Sequence, residues 1–288
     1  MLRIGRWEIR SVVNGTIRLD GGAMFGVVPK VLWAPRADVD DQNRILLATR
    51  TVLAIDRERG RVVLVDTGCG SKWSRDKAAR YGIRVDLEAI PAALAEAGFS
   101  ESDVTDVVIS HLHFDHNGGL TDWTGTPGGP TRWHYPQARH WIHRGHWDHA
   151  HAPHRKDRPS FLKEDFSVLR ETDRLRFVEG DGTEADADGL RWFVSHGHTP
   201  HQLHPIFEGD DAHLLFAGDI VPTSAHLGLG WVMAYDVEPM RTIEEKRMLF
   251  ERCLEERTFL AFPHDPSIGG VVLAGSASRP EIGRTLDL

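Results

Sequence analysis

Residues 110–119 read Ser-His-Leu-His-Phe-Asp-His-Asn-Gly-Gly, so three histidines and one carboxylate fall between His111 and His116. The preceding residues 106–109 are an aspartate followed by three β-branched apolar residues, which predicts a buried strand. Asn117, Gly118 and Gly119 predict a turn. A strand that ends in such a loop can present several ligands at one point. Imidazole nitrogen and carboxylate oxygen suit a divalent metal such as zinc, so the pattern predicts a metal centre rather than a merely polar loop.

Composition restricts the classes of function. The chain has 288 residues, 41% hydrophobic and 26% charged, which is typical of an ordinary globular protein. Its net charge of -8 is spread along the chain without a basic stripe, which argues against nucleic acid as a partner. No apolar run is long enough to span a bilayer, and the N-terminus lacks the apolar core of a signal peptide. We therefore expect no membrane association and a cytoplasmic location. The sequence has no internal repeat of short period and no low-complexity linker, so we expect one domain over residues 1–288.

Hydrophobic patterning predicts a series of strands and two clear helices. The predicted strands cover 7–18, 44–55, 61–65, 106–109, 190–195, 213–216 and 258–262. One predicted helix runs from Asp86 to Ala97, with Asp86 as its cap and Leu87, Ile90 and Leu94 on its buried face. The other runs from Thr242 to Glu256 and is amphipathic.

Two further segments are less regular. Residues 21–30 are glycine-rich, and Met24 and Phe25 within them either line a pocket or belong to the core. The segment from Trp133 to His154 holds three tryptophans and seven histidines. We interpret it as a helix whose aromatic face packs on the body while its histidines face water. A second metal site is disfavoured there, because no acidic or cysteine partner lies at ligand spacing.

Metal-capable residues follow one predicted strand after another. They are Asp66, the cluster from His111 to His116, His196 or His198, Asp219 and His264. Strand ends on one side of a sheet are where α/β proteins collect their sites. Seven of these residues would be enough for two metals, whereas a closed structural zinc site needs only four.

These residues resemble the five successive motifs of the metallo-β-lactamase superfamily, in the same order. The matching positions are Asp66, His111-x-His113-x-Asp115-His116, Gly197-His198-Thr199, Gly218-Asp219 and His264. The resemblance covers most of the chain. It implies an α/β fold, the αβ/βα sandwich, in which two mixed sheets lie back to back and helices flank them. Because the ligand lies in a Gly-His-Thr step, the resemblance favours His198 over His196.

The resemblance also implies a role for each residue. His111, His113 and His198 would hold one metal, and Asp115, His116 and His264 the other. Asp219 would bridge the two, and Asp66 would orient ligands rather than bind directly. The expected cofactors are two divalent ions, most simply Zn²⁺, although manganese, cobalt and iron accept the same ligands. Dimers are common among such proteins, so the resemblance allows a homodimer.

Residues 22–30 and 231–236 look like segments of the branch that contains quorum-quenching lactonases and methyl parathion hydrolases. On this basis Met24, Phe25, His226 and Trp231 are the expected substrate-pocket residues. One position departs from the pattern. Several acyl-homoserine lactonases carry a tyrosine three residues after the bridging aspartate, where this chain has Pro222. His226 and Tyr235 are the candidates to replace it, and a structural role for either is the alternative.

The implied chemistry is hydrolysis of a small molecule by a hydroxide that bridges two metals, with Asp115 and Asp219 as the catalytic carboxylates. The expected substrate is a lactone, most simply an N-acyl-homoserine lactone, with aryl esters or phosphotriesters as further substrates. Three alternatives remain at this point. One is a phosphotriesterase or arylesterase of the methyl parathion hydrolase type, one is a non-hydrolytic metalloprotein such as a diiron oxidoreductase, and one is a binding protein that retains its metal only for structure.

Overall fold

The computed structural model describes residues 1–181 and 190–288. Two mixed sheets of eight and six strands carry the fold, and a small two-stranded sheet accompanies them. The strands are β1 (Leu2–Ile4), β2 (Trp7–Asp20), β3 (Arg44–Asp56), β4 (Arg61–Val65), β5 (Arg84–Val85), β6 (Asp106–Val108), β7 (Thr121–Trp123), β8 (Thr131–Trp133), β9 (Arg139–His143), β10 (Leu175–Val178), β11 (Leu190–Ser195), β12 (Gln202–Glu208), β13 (His213–Phe216), β14 (Thr258–Ala261), β15 (Gly270–Ser276) and β16 (Arg279–Leu286). The helices are α1 (Gly21–Phe25), α2 (Lys30–Trp33), α3 (Arg75–Arg80), α4 (Ala89–Glu96), α5 (Phe114–Asn117), α6 (Arg144–His151), α7 (Lys163–Phe166) and α8 (Pro239–Glu255).

The first sheet has the order β1-β2-β3-β4-β6-β9-β10, with β5 paired to β2. Its first strands are antiparallel, and β4, β6, β9 and β10 run parallel to one another. The second sheet runs β11 to β16 in sequence order and is antiparallel except for the parallel pair β13 and β14. Because β4 lies parallel to β6, and β13 to β14, the loops that follow these strands emerge at the same edge of each sheet.

The two sheets pack face to face and helices cover their outer faces. Strand β3 shows how the sequence specifies this, since neighbouring side chains of a strand point to opposite faces. Val52 and Ala54 enter the core between the sheets, together with Trp192 of the second sheet. Leu53 and Ile55 enter the core under α4, α6 and α7. Helix α8 covers the other face of the second sheet. The predicted sandwich of two mixed sheets with flanking helices is therefore confirmed.

Three sequence predictions need correction. Helix α4 begins at Ala89, because the N–H of Asp86 continues the pairing of β5 with β2 by donating to the Asn14 carbonyl. Leu87 is 46% exposed and does not belong to the buried face of the helix. Helix α8 begins earlier than predicted, at Pro239, a residue favoured in the first turn.

The third correction concerns the histidine-rich segment from Trp133 to His154. Only its second half, α6, is helical, since β9 is required to pair with β6. Its histidines do not simply face water: His140, His143 and His146 are all at most 3% exposed.

The longest helix, α8, spans 17 residues and is strongly charged. Within the two described ranges, no helix combines the length and the apolar character that a bilayer crossing needs.

Candidate metal centre

The loops at the edge of the two sheets bring seven side chains into one buried cluster. His111 and His113 lie together with His198, and their ligand atoms are within 4.8 Å of one another. Asp115, His116 and His264 form a second group by the same measure. Asp219 lies between the groups. We call these seven residues the ligand cluster: His111, His113, Asp115, His116, His198, Asp219 and His264.

The two carboxylate oxygens of Asp219 face different groups. Oδ1 lies 3.2 Å from Nε2 of both His116 and His264. Oδ2 lies 3.4 Å from Nε2 of His198 and 4.0 Å from Nε2 of His111. The carboxylate of Asp219 thus faces both groups of the ligand cluster.

The loops that carry these residues are held by close backbone packing. The turn after the histidine motif rests directly on the loop after β4, because a Cβ at Gly118 would lie 2.0 Å from the Cys69 carbonyl oxygen. In that loop Asp66 has a φ of 56°, a left-handed conformation that is uncommon outside glycine. The conformation places its carboxylate beside the N–H and hydroxyl of Ser110, both 2.7 Å away, and 2.7 Å from Nδ1 of His116.

Hydrogen bonds orient the imidazole rings so that lone pairs converge. Nδ1 of His116 lies against Asp66, and Nδ1 of His264 donates to the Ala48 carbonyl at 2.8 Å. Both Nδ1 atoms therefore carry the proton in the neutral rings, which leaves a lone pair on each Nε2. These two Nε2 atoms are only 3.1 Å apart. Two facing lone pairs repel each other unless a proton or a metal cation lies between them.

The separation itself fits a shared cation. Zinc–nitrogen bonds of about 2.0–2.1 Å in a tetrahedral arrangement place two ligand nitrogens roughly 3.3 Å apart. Moreover, Nε2 of His111 is buried and has no hydrogen-bond partner within the described residues, and Nδ1 of His113 lies 3.1 Å from Nε2 of His198. Buried polar atoms are seldom left unpaired. The donor set, the spacing and the unpaired nitrogen of His111 all fit divalent metal ions.

The protonation of His116 and Asp219 in the ligand cluster depends strongly on the charges of their neighbours. Burial disfavours a charged His116 ring, but the carboxylates of Asp219, Asp115 and Asp66 outweigh burial and hold its pKa well above the usual value. Burial would raise the pKa of Asp219, yet the rings of His116 and His264, with another nearby imidazole, hold it well below its usual range. The carboxylates thus retain protons on the histidines, and metal binding would release them.

A family model for the metallo-beta-lactamase superfamily matches residues 49–256, which include all but the last residue of the ligand cluster. The chain belongs to the metallo-beta-lactamase superfamily. Among curated proteins it is 25% identical over 205 residues to the N-acyl homoserine lactonase AttM of Azorhizobium caulinodans, a match that covers 67% of this chain and 71% of the relative. It is 26% identical over 167 residues to AttM of Agrobacterium fabrum, covering 54% of this chain and 57% of that relative.

Solved structures agree with this metallo-beta-lactamase assignment. A probable metal-dependent hydrolase from Staphylococcus aureus superposes with a TM-score of 0.86 and 28% identity, over 99% of this chain and 98% of the other. AidC, a dizinc quorum-quenching lactonase, has a TM-score of 0.76 and 19% identity, over 98% of this chain and 95% of its own. The second likeness shows the fold. The relatives and structural neighbours are metal-dependent hydrolases, including lactonases.

A cavity opens onto the ligand cluster. His113, Asp115, His198, Asp219 and His264 form its floor. Its walls are mostly apolar or aromatic: Leu19, Met24, Leu47, Tyr81, Phe114, Pro159, Ser160, Met233 and Tyr235. Two of these wall residues are tyrosines, and burial raises the pKa of the Tyr235 phenol to about 12, with further contributions from nearby carboxylates. The Tyr235 hydroxyl is therefore a protonated hydrogen-bond donor at the cavity.

Of the four expected pocket residues, only Met24 lines this cavity. Phe25 lies behind it, stacked on the His226 ring with centroids 4.6 Å apart and in edge contact with Trp231 at 5.8 Å. His226 is fully buried, with Nε2 donating to the Met24 carbonyl at 2.8 Å. Phe25, His226 and Trp231 thus support the wall from the core, and Tyr235 is the candidate replacement that reaches the cavity.

Sequence reasoning missed the residues that hold the loop around His198. Asp236 lies 2.9 Å from Nδ1 of His198. Glu245 of α8 accepts the N–H groups of His196 and Gly197, each at 2.8 Å. The available signal for Glu245 was an acidic residue at four-residue spacing from the apolar positions Leu249 and Cys253 of α8. Nothing in the sequence places Asp236 near His198.

A further group of possible ligands, His143, Asp181 and His201, lies outside the ligand cluster. Both ring nitrogens of His143 already form hydrogen bonds within the protein. Its Nδ1 accepts the Gly145 N–H at 3.0 Å and its Nε2 donates to the Gly180 carbonyl at 3.1 Å. No lone pair remains on this ring for a metal, so we assign no metal site there.

Proposed function

We propose that this protein is a binuclear metal-dependent hydrolase that opens lactone rings, with N-acyl-homoserine lactones as its substrates. The observation that carries the proposal is the ligand cluster beneath an apolar cavity, in a chain whose curated relatives are acyl-homoserine lactonases. The zinc identity of the metals, the cytoplasmic location, the single domain and a homodimer stay predictions.

The geometry supports the ligand roles that the motifs suggest. His111, His113 and His198 form the group for one cation, and Asp115, His116 and His264 the group for the other. Asp219 would bridge the two cations, since its two oxygens face different groups. Asp66 acts behind His116 by holding the proton on Nδ1, which keeps the lone pair of Nε2 directed into the centre.

When bound, two divalent cations supply Lewis acidity toward the substrate carbonyl and lower the pKa of a water molecule. The chain's own residues then govern protons and orientation. Asp115 lies on the floor of the cavity, where it takes the proton released as water attacks and passes it to the ring oxygen when the C–O bond breaks. The Tyr235 hydroxyl, protonated at neutral pH, donates a hydrogen bond to the carbonyl oxygen as charge develops.

The walls support the choice of substrate. Leu19, Met24, Leu47 and Met233 provide apolar surface for an acyl chain, whose burial is worth roughly 25 cal/mol per Å². The residues found to line the cavity include no lysine or arginine, so no cation is placed to grip a phosphodiester or another anionic substrate.

One further activity has a specific observation behind it. Tyr81, Phe114 and Tyr235 all line the same cavity and offer aromatic surface. Aryl esters and neutral phosphotriesters with aromatic leaving groups need the same attack and the same apolar binding. We therefore propose them as secondary substrates.

The test is a hydrolysis panel on protein of measured metal content. Elemental analysis of protein prepared without chelator should approach two metals per chain, and the protein should open acyl-homoserine lactones faster than simple esters. A His264→Ala variant that retained full activity with one metal would contradict the proposed second metal site. Efficient hydrolysis of a β-lactam or phosphodiester, with no lactone opened, would contradict the substrate assignment.

A further inference from the structure

His146 joins two of the loops that carry the ligand cluster. Its Nε2 accepts the N–H of Leu112 at 2.8 Å, and its Nδ1 donates to the carbonyl oxygen of Pro200 at 2.8 Å. The imidazole is completely buried, with an exposed fraction of 0%. Each partner can play only one role, since an amide N–H donates and a carbonyl accepts. The contacts therefore fix a neutral ring with its proton on Nδ1.

The two backbone groups are adjacent to metal-ligand positions. Leu112 lies between His111 and His113, so the orientation of its peptide sets the position of both neighbours. Pro200 lies two residues after His198. One ring thus ties together the three histidines proposed to hold the first cation, whereas the second group is held through Asp66 and Ala48 instead.

The rest of α6 supports a fixed position for this ring. At its N-terminus Gly145 packs against the ring of His201, because a Cβ at this position would lie 2.5 Å from an atom of that ring. The side chain of His143 caps the helix through the Gly145 N–H. The helix is therefore seated directly against the loop after Pro200 and cannot shift without disturbing it.

We infer that His146 is a positioning residue that sets the geometry of the first metal site, formed by His111, His113 and His198, without touching metal or substrate. The inference rests on the proposed binuclear centre. Groups that orient metal ligands typically change metal affinity about 10- to 100-fold when they are removed. His146 differs from an ordinary orienting group in acting through the backbone of two loops at once.

The test measures cobalt binding rather than turnover. Metal-free wild type and His146→Ala are titrated with Co²⁺ against a competing chelator, which resolves two affinities, and the absorption spectrum of bound Co²⁺ reports ligand geometry. His198→Ala and His264→Ala identify which titration step belongs to which site. His151→Ala is the matched control on α6, since the bond that Nδ1 of His151 makes within the described residues is to the Trp147 carbonyl of the same helix.

We expect His146→Ala to weaken the step that His198→Ala removes by about 10- to 100-fold and to alter its spectrum. The other step and the His151→Ala control should remain close to wild type. His146→Gln, whose side-chain oxygen can still accept the Leu112 N–H, should fall between wild type and alanine.

Wild-type affinities and spectra in both His146 variants would overturn the inference, as would an equal loss at both steps. If His146→Ala does not fold, His146→Gln decides alone, and wild-type affinity at both steps overturns the inference. A wild-type protein that binds no second metal would refute the binuclear proposal itself, and the inference with it. Two metals bound in wild type with unaffected variants would refute the inference alone.

Discussion

The carboxylate of Asp236 lies 2.9 Å from Nδ1 of His198, and the exposed fractions of the two side chains are 1% and 2%. The other carboxylate oxygen of Asp236 accepts the N–H of Met233 at 3.1 Å. Met233 also lines the cavity. A single buried carboxylate therefore connects the ring of a proposed metal ligand to the wall of the proposed substrate site.

Removing this connection should weaken metal binding. Asp236→Ala leaves Nδ1 of His198 without an acceptor, so we expect metal affinity at one site to fall about 10- to 100-fold. Asp236→Asn retains one oxygen acceptor and should lose less. Chelator competition measures the affinity, and Glu238→Ala, an exposed carboxylate two residues away, is the control. Equal affinities in wild type and Asp236→Ala would show that the contact is incidental.

The two cluster aspartates should respond differently to substitution. Asp219→Ala removes the carboxylate that faces both groups of histidines, so metal content and activity should fall together. Asp115→Asn keeps the size of the side chain and one oxygen, so turnover should fall more than metal content. Full turnover in metal-replete Asp115→Asn would exclude the proton-transfer role proposed for Asp115.

Substitutions of Phe25 and Leu19 should distinguish the effects of core packing from those of substrate binding. Phe25 is 1% exposed and packs on Trp33 and His226, so Phe25→Ala should cost about 3–5 kcal/mol of stability and reduce activity uniformly. Leu19 lines the cavity, so Leu19→Ala should raise KM for long acyl chains more than for short ones. Thermal unfolding and a chain-length series measure the two effects. A chain-length effect confined to Phe25→Ala would reverse the assignment.

Tyr235→Phe should lower kcat with little change in metal content. The substitution keeps the ring in the cavity and removes only the hydroxyl donor proposed to stabilise the developing oxyanion. Tyr81→Phe, which alters the other cavity tyrosine, is the matched control. If the two variants lost the same fraction of kcat, or neither lost any, Tyr235 would have no special role.

His140, which is not part of the ligand cluster, should make the stability of the protein sensitive to acid. Its ring is 1% exposed, neither nitrogen has a hydrogen-bond partner within the described residues, and burial, assisted by Arg174, lowers its pKa from 6.5 to about 4. Below pH 6.5 the unfolded chain gains a proton that the folded chain does not accept until about pH 4. Stability from this group is therefore present above pH 6.5 and is lost as the pH falls toward 4.

His140→Phe should remove this loss. Relative to wild type, the variant should gain about 2 kcal/mol of unfolding free energy between pH 8 and pH 5. Denaturant unfolding of metal-free protein at both pH values measures the difference. His154→Gln alters an exposed histidine and should not change the pH dependence. A parallel pH dependence in wild type and His140→Phe would contradict the prediction.

The regular parts of this fold were predictable from sequence because periodicity reports burial directly. Strands β11 and β13 match their predicted bounds, and β4 does so as well. The ligand positions were accessible for a related reason: each stands where an apolar strand ends. Their roles as metal ligands stay predictions, which the geometry supports.

Other features depend on contacts that the sequence does not express locally. Residues 139–143 form a strand because β6 requires a parallel neighbour, although their composition is equally compatible with a helix. Phe25 and Met24 are adjacent in sequence, yet only Met24 reaches the cavity, because the short helix α1 turns the two side chains apart. The contacts of His146 and Asp236 span 34 and 38 residues, beyond the reach of any spacing pattern.

Each group of ligands draws on both sheets. His111 and His113 follow a strand of the first sheet and His198 a strand of the second, and His116 and His264 are divided in the same way. Neither half of the sandwich, produced alone, could complete either site. Two separately expressed fragments, one for each sheet, should therefore associate more tightly when metal is supplied and separate when a chelator removes it, since a ligand that binds only the assembled state stabilises that state. The metal centre would then hold the two polypeptides together reversibly.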